Sequence, residues 1–100
     1  ILRGDVNLLS RTGNYEVIFR LKRGSVDSDG FDTPLVRIEA INNDGSGTFV
    51  WKNLNARSIK SDYTEIPLYF YRTGEGNMEY RVYFYDQTNI YLDSYEVNQI

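Results

Sequence analysis

Polar and apolar residues alternate along several stretches of this chain, and residues 15–22 show the pattern most clearly. Every second residue there is apolar, and most of the residues between them are charged. A period of two is typical of a β-strand, in which successive side chains point to opposite faces of the sheet. One face of this strand is therefore expected to line a core. Its residues are Tyr15, Val17, Phe19 and Leu21.

The last quarter of the chain contains two more runs of this kind, residues 78–86 and 90–97. Both are rich in aromatic and β-branched side chains, which fit a pleated, half-buried surface, and a short polar link joins them. In the first run Tyr80, Val82 and Phe84 are expected to face inward. The set expected to face outward combines a charge pair with two tyrosines, and its residues are Glu79, Arg81, Tyr83 and Tyr85.

Turn-forming residues divide the rest of the chain into similar short segments, and no stretch sustains a helical period. About eight strands separated by turns indicate an all-β fold, an antiparallel β-sandwich or barrel. The expected strands are residues 6–9, 15–22, 35–41, 48–52, 56–60, 65–72, 78–86 and 90–97.

The length of the chain fits one β domain, residues 1–100. Its net charge of −3 argues against nonspecific binding to nucleic acid or to an anionic membrane, because both need a basic surface. No apolar run approaches the roughly 20 residues needed to cross a bilayer, so membrane insertion is not expected. The chain begins at Ile1 without a signal peptide, and we interpret it as a domain excised from a larger protein.

The chain contains neither His nor Cys, which excludes nucleophile–histidine designs, zinc sites with His ligands and disulfide bonds. A pair of carboxylates can hydrolyse a glycoside. However, nothing in the sequence singles out two of the 14 acidic residues. We therefore expect no enzymatic activity, and the composition indicates no cofactor.

Three stretches, taken in order, carry a family resemblance. They read GNYEVIFRLK at residues 13–22, MEYRVYF at 78–84 and IYLDSYEV at 90–97. In order and spacing they resemble strands of the galactose-binding-like jelly rolls, the β-sandwiches of many carbohydrate-binding modules. The resemblance implies a jelly-roll sandwich that binds a glycan or polysaccharide. It also implies a noncatalytic accessory domain of an extracellular or cell-surface protein.

The same resemblance implies a possible structural calcium ion. Members of the family often bind it between an acidic residue on an early strand and an Asp near the last strand. Asp93 matches the second ligand, whereas Asp5 is only a positional candidate for the first. Members usually carry further strands before the matched region. Either this chain is a shortened version, or those strands lie upstream in the parent protein.

Four tyrosines expected to face outward, together with Arg81 and Trp51, are the candidate glycan-binding residues. Sugar rings present apolar C–H faces that stack on aromatic rings, and their hydroxyls need polar partners such as an arginine. Sequence alone does not decide whether the two tyrosine pairs share one sheet. The tyrosines are Tyr69, Tyr71, Tyr83 and Tyr85.

Other interpretations of these residues stay open. The tyrosines can cover the sheet and pack across strands, or form a protein–protein surface, where Tyr and Arg are enriched. A lone Trp is more often a core anchor in a small sandwich, and this alternative applies to Trp51. The competing function is a structural or protein-interaction domain, an accessory or oligomerisation module. Such a domain packs against other domains of its parent protein and has no glycan site.

Overall fold

The computed structural model describes residues 2–6, 12–42, 49–72 and 78–100, the first of these ranges through its backbone alone. This part of the chain contains seven β-strands and one turn of 3-10 helix, Ser28–Gly30. The strands are β1 (Leu2–Val6), β2 (Gly13–Arg23), β3 (Val36–Asn42), β4 (Phe49–Leu54), β5 (Thr64–Arg72), β6 (Met78–Phe84) and β7 (Ile90–Gln99).

The strands form two antiparallel sheets. The four-stranded sheet has the order β1-β6-β3-β4, and the three-stranded sheet has the order β5-β2-β7. Strand β5 lies against β3 and β4 of the other sheet, so the two sheets pack face to face. The predicted all-β fold class and its β-sandwich character are thereby confirmed.

The core lies between the two inner faces, and β2 shows why the sequence folds this way. Its four alternating apolar residues, predicted to face inward, are at most 1% exposed. The core contains an aromatic cluster: the Tyr15 and Phe70 rings stack at 5.7 Å, and the Phe70 and Tyr80 rings lie 6.0 Å apart. Burying each such side chain contributes about 1.5–3 kcal/mol, which makes this alternation the main determinant of the fold.

The prediction of a strand at residues 56–60 is wrong. The segment is a turn in which the backbone N–H groups of Ser58 and Ile59 both donate to the Asn55 carbonyl. Ala56 and Ile59 are nevertheless buried, and the Arg23 Nε donates to the Ile59 carbonyl at 2.8 Å. The apolar residues of this segment therefore fill the end of the core from a turn, where a strand was expected.

Two other predicted strands lie partly outside the described residues. The strand expected at residues 6–9 shares only Val6 with the observed β1, which is Leu2–Val6. Residues 7–9 lie outside the described part of the chain. The strand expected at residues 48–52 is observed as β4, and residue 48 also lies outside the described part. The remaining predicted strands agree with observed ones to within a few residues.

Three edge strands carry features that oppose pairing with another chain. Pro67 in β5 has no N–H to donate, and Lys52 in β4 is exposed although it pairs with the core residue Ile38. In β7 a bulge at Asp93 interrupts the register with β2. Prolines, inward-placed charges and bulges are the devices by which natural sheets avoid edge-to-edge association. The sequence therefore disfavours addition of a strand from another chain at these three edges.

Candidate functional site

The two predicted tyrosine pairs lie on different sheets. Tyr69 and Tyr71 belong to β5 of the three-stranded sheet, while Tyr83 in β6 and Tyr85 just after it belong to the four-stranded sheet. Tyr69, Tyr71 and Tyr83 are exposed, and Tyr85 is partly buried. The pairs point away from opposite sides of the sandwich, so the four tyrosines do not form a single platform.

The four-stranded sheet brings one tyrosine pair together with the other two candidates, Arg81 and Trp51. In β3, Glu39 pairs with Trp51 of β4 on one side and with Arg81 of β6 on the other. Residues directly opposite in neighbouring strands point to the same face. We call this surface the Trp51 face. Its residues are Trp51, Arg37, Tyr83, Tyr85, Arg81 and Asn53.

Arg37 occupies the middle of the Trp51 face. Its guanidinium carbon lies 5.7 Å from the centroid of the Trp51 ring and 5.3 Å from that of the Tyr83 ring. The Tyr83 ring meets Tyr85 edge-on at 5.4 Å, and the Tyr85 hydroxyl donates to Asn53 Oδ1 at 2.7 Å. The result is an ordered row of ring, cation and ring across β4, β3 and β6.

Two buried glutamates hold the arginines of this face. Arg37 Nε lies 2.9 Å from Glu39 Oε2, and Arg81 Nε donates to Glu79 Oε1 at 2.6 Å. Arg81 Nη1 lies 3.8 Å from the other oxygen of Glu39. Glu39 and Glu79 are only 4% and 5% exposed, while both arginines are partly exposed. The face therefore presents guanidinium groups and rings to solvent, and its carboxylates lie beneath them.

Trp51 is not the core anchor that one interpretation of the sequence suggested. Its side chain is 52% exposed on an edge strand, because its register partner Glu39 belongs to the outer set of β3. The alternation in β4 is hard to interpret from sequence because Lys52, a charged residue, occupies an inner position next to it. Sequence reasoning also missed Arg37 and Asn53 as parts of this face. Only the strand pairing, which single-strand patterns do not reveal, brings them beside Trp51 and Tyr85.

The other tyrosine pair lies on the outer face of the three-stranded sheet. Tyr69 and Tyr71 line an open cavity of about 420 Å³ together with Asn14 and Ile100. Tyr69 pairs in register with Glu16, which accepts a 3.4 Å hydrogen bond from the Asn98 amide. The described residues that line this cavity include no arginine or lysine, so the cavity offers fewer charged donors than the Trp51 face.

Asp93, the candidate calcium ligand, forms an ion pair. Its Oδ2 lies 3.1 Å from Arg20 Nε. Within the described ranges no group of three or more His, Cys, Asp or Glu residues is placed to hold a metal ion. The side chain of Asp5, the positional candidate for a second ligand, lies outside the described part. A calcium role for Asp93 stays a prediction.

In the part of the chain that the structure describes, no helix has the length and apolar character needed to cross a bilayer. No protein-family model, no curated protein and no solved structure matches the chain.

Proposed function

We propose that this domain is a noncatalytic carbohydrate-binding module of the galactose-binding-like jelly-roll type, and that it binds glycans through the Trp51 face. One observation carries the proposal: a Trp that is 52% exposed lies beside an arginine and a tyrosine that is 39% exposed on the same sheet face. The two antiparallel sheets and the resemblance of three strands to that family support the fold assignment.

The chemistry of the face suits a sugar. Exposed rings offer flat apolar surfaces on which C–H faces of a pyranose stack, and an arginine offers several N–H donors for ring hydroxyls. Arg37 is already held by Glu39 and by two flanking rings. Binding therefore immobilises little additional side-chain freedom, which favours affinity.

The setting follows from the same proposal. A glycan-binding accessory domain belongs to a larger extracellular or cell-surface protein, in which it holds the parent near its polysaccharide. Its partners are that glycan and the other domains of the parent protein. Because binding by stacking and hydrogen bonding needs no reaction chemistry, the proposal requires neither a catalytic group nor a cofactor.

A glycan array on the isolated domain tests the proposal, followed by titration calorimetry with any glycan that binds. Trp51→Ala and Tyr83→Ala are expected to weaken binding at least about tenfold, which is a loss of about 1.4 kcal/mol. Tyr69→Ala is the matched control, because it removes an exposed tyrosine from the opposite sheet. Equal losses for Tyr69→Ala and Tyr83→Ala, or no binding by a folded domain across a broad array, would refute the assignment to the Trp51 face.

The alternative, a structural domain without a glycan site, is favoured by one feature of β7. The inward residues of the edge strand β5 are buried, with Phe70 5% exposed. In the edge strand β7, by contrast, Tyr95 is 37% exposed although its ring lies 5.7 Å from that of the core residue Tyr80. A neighbouring domain or a second copy packed there would complete the burial. Under this alternative the domain binds no glycan, and, if a second copy covers Tyr95, Tyr95→Ser abolishes self-association in sedimentation velocity.

A further inference from the structure

The outer face of the three-stranded sheet carries a second cluster of rings and cations, distant from the Trp51 face. Lys22 of β2 lies directly opposite Tyr91 of β7, and Tyr63 precedes β5 on the other side of β2. The Lys22 Nζ is 4.7 Å from the centroid of the Tyr63 ring and 5.3 Å from that of the Tyr91 ring. The ammonium group is therefore held between two rings, which are 37% and 45% exposed.

The two cations of this cluster, Arg20 and Lys22, differ in their partners. Arg20, the next outward residue of β2, lies 3.1 Å from Asp93 and 4.0 Å from Glu65, so its single charge is shared between two carboxylates. Lys22 forms no ion pair with any described residue. The positive charge of Lys22 is therefore available to a ligand.

We propose that Lys22, Tyr63 and Tyr91 form a binding site for an acidic saccharide. The ammonium group pairs with the carboxylate of a uronic acid or with a sugar sulfate, and the two tyrosine rings contact the C–H faces of the sugar. Two rings already restrict the long lysine side chain, so its ordering on binding costs less than it does for an unconstrained lysine.

The composition of the surroundings favours a saccharide over a nucleic acid. A nucleic-acid site needs several cations along a phosphate track, and its affinity grows with the number of phosphates neutralised. Here one free lysine stands between two rings on a chain of net charge −3. A single cation with flanking rings matches the size and chemistry of one charged sugar residue.

The site is independent of the proposed function, because it lies on the other sheet and shares no residue with the Trp51 face. Binding there depends on charge, so the affinity should fall as ionic strength rises. A neutral glycan bound on the Trp51 face should show no such dependence. The two sites are thus separable by salt as well as by substitution.

Titration calorimetry with tetragalacturonate, with its carboxyl-reduced neutral form and with a sulfated tetrasaccharide tests the inference on the whole chain. The wild-type protein should bind at least one of the two charged probes about tenfold more tightly than the neutral probe. The better charged probe identifies carboxylate or sulfate as the preferred group. Lys22→Gln should abolish the preference for the charged probe, and Lys22→Arg, which keeps the charge, should retain most of it.

Two controls make the outcome decisive. Lys52→Gln removes an exposed lysine from the other sheet and should leave the preference unchanged. Circular dichroism verifies that each variant is folded. The inference is overturned if neither charged probe binds better than the neutral one, or if Lys22→Gln and Lys52→Gln behave alike. Equal affinity for a glutamate-rich peptide would overturn the saccharide specificity.

Discussion

The guanidinium of Arg37 lies 5.7 Å from the centroid of the Trp51 ring, across the pair formed by β3 and β4. The contact is on the outer face of the sheet, where Trp51 stays 52% exposed. Exposed contacts of this kind contribute about 0.5–1 kcal/mol. The only Trp of the chain is therefore open to solvent, and its contact with Arg37 contributes little to stability.

We predict that Trp51→Ala lowers the free energy of unfolding by no more than about 1 kcal/mol. Phe19→Ala, which empties a position that is 1% exposed, should cost about 3–5 kcal/mol. Urea unfolding followed by circular dichroism measures both, since fluorescence is lost with the Trp. A cost above about 2 kcal/mol for Trp51→Ala would show that its ring belongs to the core after all.

Glu39 is expected to stabilise the fold more than an exposed glutamate does. It is 4% exposed and lies against both Arg37 and Arg81. Glu39→Gln removes the charge and leaves two partly exposed guanidinium groups less well balanced, at a cost of about 1–3 kcal/mol. The cost is below that of breaking a fully buried pair, because water still reaches both arginines.

Glu65→Gln provides the matched control for Glu39→Gln. Glu65 is exposed and lies 4.0 Å from Arg20, and such surface pairs contribute about 0–1 kcal/mol. Thermal unfolding at low and high salt should show a small, salt-sensitive effect for Glu65→Gln and a larger, salt-resistant one for Glu39→Gln. Equal effects of the two substitutions would contradict a structural role for the buried carboxylate.

The stability of the domain should fall as the pH rises from about 10 to about 12, and Tyr80 accounts for part of this. Burial raises the pKa of the Tyr80 hydroxyl to about 12, while the charge of nearby Arg72 acts in the opposite direction. The unfolded chain releases this proton near the ordinary value of 10.0. Between the two values the folded state binds more protons than the unfolded state, so alkali favours unfolding.

Tyr80→Phe removes this ionisation. Its contribution is fully present below pH 10 and is lost on the way to pH 12, so the variant should lose stability less steeply than wild type in that range. Urea unfolding at a series of pH values gives the two curves. If they run parallel from pH 10 to 12, the Tyr80 hydroxyl does not titrate as its burial predicts.

The sequence predicted the core residues better than it predicted the candidate site, and the reason is physical. Inward residues such as Phe19 are identified by a period of two within one strand. The period arises because alternate side chains point to the same face of the sheet, and one face is buried. The neighbours of Trp51 depend on which strands pair and in which register. The pairing and register depend on segments that are far apart in the sequence. The pattern of one strand therefore predicted that Tyr83 faces outward, but not that Arg37 lies beside it.

The same distinction explains the wrong strand at residues 56–60. Ala56 and Ile59 are apolar because they fill the end of the core, and a turn achieves this as well as a strand. Short apolar runs do not by themselves distinguish the two. The position of the segment became evident only through its tertiary contacts, such as the hydrogen bond from Arg23 to the Ile59 carbonyl.

Gly13 is expected to be required at the start of β2. Its φ of +152° lies in a region that side chains disfavour, and an added Cβ would lie 3.1 Å from Gln99 Nε2. Gly13→Ala should therefore lower the free energy of unfolding by about 1–2 kcal/mol, mainly through backbone strain, since the end of the Gln99 side chain can move.

Gly30 is the matched control, because its φ is ordinary and a Cβ there makes a normal 3.4 Å contact with Val26. Gly30→Ala should be neutral or stabilising by about 0.4–1 kcal/mol, because it restricts the unfolded chain. Urea unfolding of both variants decides the point: a Gly13→Ala protein as stable as Gly30→Ala would mean that β2 begins with a different backbone conformation.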